Sequence, residues 1–416
     1  MRLPRRTSVR AAAVLACAAL FAAGPAVAAD EQAVTAGEAL GNGKTAIELR
    51  YRYEHVAQDG FAQDADASNL RLRLNYATGT FRDWSGFAEF DYVAEVLADN
   101  FNSGGGTSPQ RTQYPVVADP HGADLNQLYF DYAGVDDTLL RLGRQRILLD
   151  NQRFVGGVGW RQNEQTYDGV TLRYAGLPGV ALQYSYVWRV NRIFGDRSPA
   201  GRQDGDIHLL HAAIRLATDW SLVPYGYFID NEDEPAFSTT TVGARLSGKF
   251  DLGQQVLTVA GEYATQRDAA SAPVDFEADY LRLDAGLALS RALSVGLGYE
   301  VLGGSTTRAA AAFRTPLATL HAFQGWADRF LDTPDAGIED TFVSVALARA
   351  GWQLQAVWHR FAAESGGADW GNELDLSLGR SLGERYGLLV KAARFDGDAA
   401  AYQDVSKYWL MLTAAY

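Results

Sequence analysis

Residues 405–416 read VSKYWLMLTAAY. Tyr408, Leu410, Leu412, Ala414 and Tyr416 share one face at period two, as side chains do on a β-strand. The strand runs to the last residue and ends on an aromatic ring. A soluble sandwich has no need of an apolar strand that closes the chain in this way.

The same alternation recurs upstream. Ile47, Leu49, Tyr51 and Tyr53 alternate with Glu48, Arg50 and Arg52, and Leu70, Leu72, Leu74 and Tyr76 alternate with Arg71, Arg73 and Asn75. Trp352, Leu354, Ala356 and Trp358 enclose Gln353 and Gln355. Period two alone leaves two readings open. In a sandwich the apolar face is core and the arginines meet water; in a membrane barrel the apolar face meets lipid and the arginines line a wet lumen.

The other end of the chain bears on the choice. Arg2, Arg5, Arg6 and Arg10 precede the apolar run 11–24 and then Ala26, Val27 and Ala28. This is the pattern of a secretory signal peptide over residues 1–28, too short to span a bilayer. Cys17, the only cysteine, lies inside that run, so the remaining chain has neither disulfide nor thiolate chemistry. A lipoprotein reading at Cys17 would leave too short an apolar region. Together with the terminal aromatic strand, the leader favours a bacterial outer-membrane barrel over residues 29–416, with Tyr416 as the signal read by the barrel assembly machinery.

Composition agrees. Without the four leader arginines the chain carries 33 basic against 50 acidic residues, a net charge of −17, which argues against nucleic acid as a partner. Tyr 20, Phe 19, Trp 9 and Gly 42 stand beside Met 2, as suits aromatic girdles around a polar lumen. After the leader, no apolar run reaches the length of a transmembrane helix.

Eighteen strands are expected: 44–57, 67–78, 84–96, 124–133, 138–147, 167–175, 180–191, 206–217, 221–230, 239–250, 255–266, 277–289, 293–302, 340–349, 352–361, 372–379, 387–396 and 405–416. The connections alternate in length. Short ones such as 79–83, 134–137, 176–179, 218–220 and 251–254 would be periplasmic turns; 97–123, 148–166, 192–205, 231–238, 303–339 and 397–404 would be extracellular loops. An even strand number returns both ends to the periplasmic side.

Alternation assigns Arg50, Arg52, Arg71, Arg73, Arg141, Arg173, Arg189, Arg215, Arg245 and Lys249 to the lumen, with acids Glu89, Asp91, Asp131, Glu262, Asp284, Glu300, Glu373 and Asp375 in other sectors. Rings of cations favour anions in a pore; pairing across the lumen would instead fill it. The expected strand 138–147 breaks the rule. If Leu140 and Leu142 face lipid, so do Arg144 and Arg146, at roughly 2–4 kcal/mol for an arginine near the midplane. Either Gly143 hosts a bulge that reverses the facing, or the strand ends early.

The loop 303–339 contains FRTPLATLHAFQGWADRFLDTP (313–334). Phe323, Trp326 and Phe330 could offer stacking faces at the pore mouth, or pack against neighbouring loops. The six histidines are scattered, and His208 and His211 fall on opposite faces, so no metal site is expected. No catalytic motif is present, and neither an enzyme activity nor a cofactor is expected.

The run RLGRQRILLDNQRFVGGVGWRQNEQTYDGV (141–170), the loop 313–334 and the last strand resemble the alginate export family of outer-membrane barrels. The resemblance implies an eighteen-stranded barrel with an arginine-lined conduit for an anionic uronate polysaccharide. By that analogy Arg141, Arg144, Arg146, Arg153 and Arg161 are pathway residues. Gly156, Gly157 and Gly159 let the loop turn inward, which would set Arg153 and Arg161 at a constriction. The acidic lumen sector departs from the strongly positive channel that alginate would need.

The reading is a monomeric all-β porin or exporter surrounded by outer-membrane lipids. It would pass polar, anionic solutes or an acidic polysaccharide such as alginate. An outer-membrane enzyme or a loop-based surface receptor is the alternative.

Overall fold

The computed structural model describes residues 33–108 and 110–416; the expected leader, with Cys17, lies outside them. A short helix, α1 (Ala36–Gly41), precedes the barrel. Thr35 caps it by accepting from the Glu38 N–H. The strands are β1 (Lys44–Gln58), β2 (Ala65–Ala77), β3 (Trp84–Asn100), β4 (Gly122–Val135), β5 (Thr138–Gln145), β6 (Thr166–Leu177), β7 (Val180–Asn191), β8 (Arg202–Ala217) and β9 (Trp220–Asn231). They continue as β10 (Thr239–Asp251), β11 (Val256–Asp268), β12 (Glu277–Ala288), β13 (Leu293–Leu302), β14 (Ile338–Arg349), β15 (Trp352–Ala362), β16 (Asp369–Leu382), β17 (Tyr386–Gly397) and β18 (Val405–Ala415).

Each strand pairs antiparallel with its sequence neighbours, and β1 pairs with β18, so the eighteen strands close on themselves. Closure leaves no edge with unpaired backbone groups, which a bilayer would penalise. The seam extends to the last residue. Ile47 and Tyr416 exchange backbone hydrogen bonds of 3.0 and 2.9 Å.

Burial is inverted relative to a soluble fold. Arg52, Glu54, Arg73, Asp91, Glu300 and Asp375 are buried, while Leu72, Leu74, Phe90, Leu297, Leu374 and Leu412 are exposed. Each strand turns its apolar side outward, where only hydrocarbon can cover it. Aromatic pairs mark the turn end: Trp84 with Tyr132 at 4.8 Å, Trp220 with Phe250 at 5.4 Å, and Tyr386 with Tyr416 at 6.3 Å. Tyr92, Tyr184, Trp188, Tyr263, Trp358 and Tyr408 stand exposed toward the opposite end.

Bulges on β4 and β7 alter the facing. On β4, Asn126 is the extra residue opposite Glu89 and Phe90. On β7, Trp188 is skipped in the pairings with both β6 and β8. Beyond it Val190 is buried, and Arg189 pairs with Asp204 at 2.5 Å on the outward side. The assignment of Arg189 to the lumen is therefore corrected: one inserted residue reverses every side chain after it.

Gly143 is not a bulge. It stays in register between Tyr129 and Gly169. Its φ is +126° and a Cβ there would lie 2.3 Å from the Leu128 carbonyl oxygen, so only glycine fits. Arg144 keeps its outward parity and is neutralised in place by Asp168 at 2.8 Å. β5 then ends at Gln145, which frees Arg146 to turn inward.

Candidate functional site

The loop 146–165 does not project from the barrel; it crosses the lumen, and arginines of β1 and β2 hold it there. Arg50 donates to the Gln162 side chain at 2.9 Å, to the Gly159 carbonyl at 3.0 Å and to the Arg161 carbonyl. Arg52 donates to the Trp160 carbonyl, and Arg71 to that of Gln162 at 3.3 Å. Arg73 grips Asp91 with two 2.7 Å bonds and reaches Glu164 at 2.8 Å. Arg146 bonds Glu89 and Glu164. Burial raises the Glu164 carboxyl, but Arg146 and Arg73 outweigh it and hold the group well below the usual carboxylate range.

The loop 303–337 also folds inward and docks on the first. Val155 and Leu317 form a parallel bridge, with Gly156 N–H donating to the Leu317 carbonyl at 2.8 Å and Thr319 N–H to that of Gln152 at 3.0 Å. Arg153 bolts this contact to the wall. It lies fully buried, 2.8 Å from Glu300 on β13, and also reaches Thr315 and Gln324 of the second loop. Arg161 joins Glu54 of β1 at 3.1 Å to Asp328 of the second loop at 3.2 Å, and Lys407 of β18 meets the same Asp328 at 2.7 Å.

Two aromatic clusters fill the space behind the loops. Phe154 packs on Tyr225, Tyr280 and Phe313 at 5.2, 5.1 and 5.9 Å. Phe330 packs on Phe361, Tyr402 and Trp370 at 4.8, 5.0 and 5.6 Å. Phe330 is thus a buried packing group, while Phe323 is buried beside the Arg153 and Arg282 guanidiniums at 4.8 and 5.3 Å and lines the lower cavity; neither is an exposed face at the pore mouth. Trp326 alone of the three remains half-buried.

Two cavities lie within the lumen. The upper, about 130 Å³, lies between the loops and is lined by Arg50, Arg73, Arg146 and Lys391 together with Glu48, Glu89 and Glu164. The lower, about 810 Å³, opens toward the turns and is lined by Arg215, Arg245, Lys249 and Arg282 together with Asp219, Asp284 and Asp340. Small residues such as Ser221, Ser247, Thr258, Gly286 and Gly296 make up much of its wall and leave the room. Ala322 and Trp326 line both cavities and separate them.

Lys391 of β17 was not anticipated from sequence. Its ammonium lies 3.7 Å from the Trp326 ring centre and 4.1 Å from that of Trp160, and donates to His321 Nε2 at 2.9 Å. The Trp160 and His321 rings stack at 4.6 Å, 3° from parallel. Burial pushes the His321 pKa down to about 3, so the ring is neutral, accepting from Lys391 and donating from Nδ1 to Asp328 at 2.7 Å.

The remaining expected pathway residues sit lower on the wall. Arg141 pairs with Asp131 at 2.7 Å, Arg245 with Glu262 at 3.3 Å, and Arg173 donates to Gln183 at 3.0 Å. These pairs join neighbouring strands along the wall: β4 with β5, β10 with β11 and β6 with β7. Arg215 faces the lower cavity. His208 and His211 face opposite sides, toward Asp206 and Asp150, and no group of three or more potential metal ligands is assembled among the described residues.

Residues 43–191 match the family described as alginate export, a span that holds β1 to β7 and the first inward loop. No curated protein matches the chain in sequence. Among solved structures, OccAB2 of Acinetobacter baumannii superposes with a TM-score of 0.71 at 14% identity, covering 91% of this chain and 99% of that one. OccK1 (OpdK) of Pseudomonas aeruginosa gives the same 0.71, 14%, 91% and 99%. OpdK solved with vanillate gives 0.70 at 14% identity, with 91% and 99% covered. The chain is thus an eighteen-stranded barrel with the fold of the outer-membrane Occ porins, similar in sequence to the alginate export family over residues 43–191.

Proposed function

We propose that this barrel is a monomeric outer-membrane channel for small organic anions. The observation that carries the reading is the lining of the divided lumen: each cavity presents four Arg or Lys side chains against three carboxylates. A one-charge excess at each station lowers the barrier for an anion and raises it for a cation. Arg50 adds to this field without a carboxylate within ion-pair distance among the described residues; carbonyl and amide oxygens hold it but leave its charge intact.

The upper cavity, about 130 Å³ and crossed by two bonded loops, supports a small solute over a polysaccharide. A polymer would have to thread past Trp326 with both loops displaced. The related barrel solved with vanillate, an aromatic carboxylate, lends the same size and charge class. The proposed pathway runs past Arg50, Arg73, Arg146 and Lys391, then Arg282, Arg245, Lys249 and Arg215. Tyr416, exposed at the end of β18, would present the terminal aromatic to the assembly machinery.

Planar-bilayer recordings under a potassium chloride gradient test the reading. The expected reversal potential has the sign of chloride permeating over potassium. A barrel that prefers potassium, or that conducts neither inorganic nor organic anions, removes it.

A further inference from the structure

The lower cavity holds its cations in two different states. Arg245 and Arg282 belong to a row of alternating charge in register across β10 to β13, with Arg245 beside Glu262, Glu262 beside Arg282 and Arg282 beside Glu300. Ion pairs commit both guanidiniums, Arg245 to Glu262 at 3.3 Å and Arg282 to Asp284 and Glu300 at 2.9 and 3.4 Å. Arg215 and Lys249 stand nearer the turns, close to the last residues of β8 and β10, and are exposed to the cavity. Among the described residues neither has a carboxylate within ion-pair distance. Of the carboxylates on this wall, Asp284 is held by Arg282 and Asp340 by His359 at 2.9 Å. That leaves Asp219, whose backbone carbonyl accepts from the Lys249 N–H at 3.1 Å.

Hydroxyls lie between the two cations. Arg215 pairs in register with Ser221 and Ser221 with Ser247, two residues before Lys249 on the same face of β10. The Ser221 and Ser247 hydroxyls share a 2.9 Å hydrogen bond. One of them donates in that bond, so the hydrogen of the other stays available. Beyond them the wall recedes at Gly286, Gly296 and Gly298, and the Phe342 ring lies across Gly298.

We propose that Arg215 and Lys249, with the available hydroxyl of the Ser221–Ser247 pair between them, form a capture site for an organic carboxylate at the turn end of the lumen. The body of the solute rests in the glycine recess toward Phe342. This rests on the anion-channel reading and adds where the anion is held and by which groups. A paired guanidinium must exchange one carboxylate for another and gains little. An uncommitted cation gains a new charge-assisted hydrogen bond. The hydroxyl adds a donor without charge, and a site built of two mobile side chains and one hydroxyl holds its anion weakly enough to release it, as conduction requires.

Chloride currents of the full-length barrel in planar bilayers, titrated with sodium benzoate as the probe carboxylate, test the site. Benzoate held at the turn end is expected to reduce the wild-type chloride current saturably. Arg215→Gln and Lys249→Gln should each raise the half-reducing concentration on the order of tenfold, the effect of losing a hydrogen bond between charged groups. Both should move the chloride-to-potassium permeability ratio toward unity. Lys249→Arg keeps a donor and a charge and should restore most of the benzoate effect. Lys249→Gln combined with Asp219→Asn restores the balance of charge without restoring the donor, so the permeability ratio should recover while benzoate stays weakened. Three results would overturn the site while leaving an anion-selective channel: wild-type benzoate sensitivity in the Arg215→Gln and Lys249→Gln barrels, recovery of that sensitivity on adding Asp219→Asn, or a wild type that prefers chloride and ignores benzoate. A wild type without anion preference would instead sink the channel reading itself.

Discussion

Arg153→Ala is the perturbation that most directly reports whether the inward loops are held by the bonds described. Arg153 is fully buried and makes one ion pair, to Glu300, and two side-chain hydrogen bonds, to Thr315 and Gln324. Removing one partner of a buried ion pair costs about 3–5 kcal/mol, because the other charge stays behind. Glu300 would keep Tyr280 at 2.8 Å, Arg282 at 3.4 Å and Gln324, so the lower end, about 3 kcal/mol, applies. The strand ladder around the barrel does not depend on this contact, and the loss falls on the docking of loop on loop. About 3 kcal/mol corresponds to a shift on the order of a hundredfold in the ratio of docked to undocked loops. In single-channel recordings this is expected as longer and larger open excursions. The heat-induced mobility shift of the folded barrel on electrophoresis should stay near the wild-type temperature. Wild-type gating together with a wild-type heat shift would refute the reasoning, and so would a collapse of the barrel itself.

Gly143→Ala should fail to assemble or melt well below the wild type by the same electrophoretic assay, since its Cβ meets the Leu128 carbonyl oxygen at 2.3 Å; a wild-type heat shift would contradict this. Arg189→Ala, outward beyond the Trp188 bulge, should leave the reversal potential unchanged, and a shift would return Arg189 to the lumen. Glu164 has a folded-state pKa lowered by Arg146 and Arg73, so its contribution is fully present above the unfolded value of about 4.3 and is lost as pH falls through the folded one. Protease cleavage within 146–165 should therefore be flat from neutral pH down to about 5 and rise only in stronger acid; a rise beginning near neutrality would refute the pairing.

The strands were legible because the lipid face leaves its mark at every second residue, and the alternation of short turns with long loops fixed the count at eighteen. The bulges were not. One extra residue at Asn126 or Trp188 has no composition of its own, so the facing of Arg189 was misread, and β8 begins at Arg202 instead of 206. The inward course of 146–165 was suggested by its glycines. What its arginine neighbours would bind was not, because their acceptors are carbonyls of Gly159, Trp160, Arg161 and Gln162, and a main-chain oxygen has no letter in a sequence. Lys391, His321 and Asp328 went unnoticed for a related reason. Lys391 stands alone on its strand, and only the closed barrel brings it to His321, which shares one loop with Asp328.

The capture of loop 146–165 through main-chain oxygens has a consequence for how such channels diversify. Arg50, Arg52 and Arg71 recognise the path of the loop more than its side chains. Substitutions at cavity-lining positions such as Leu148 can therefore change what a solute encounters without undoing the anchorage. The wall works as a socket and the loop as an exchangeable insert, so a library varied at those positions should yield folded barrels with new preferences far more often than one varied at the arginines.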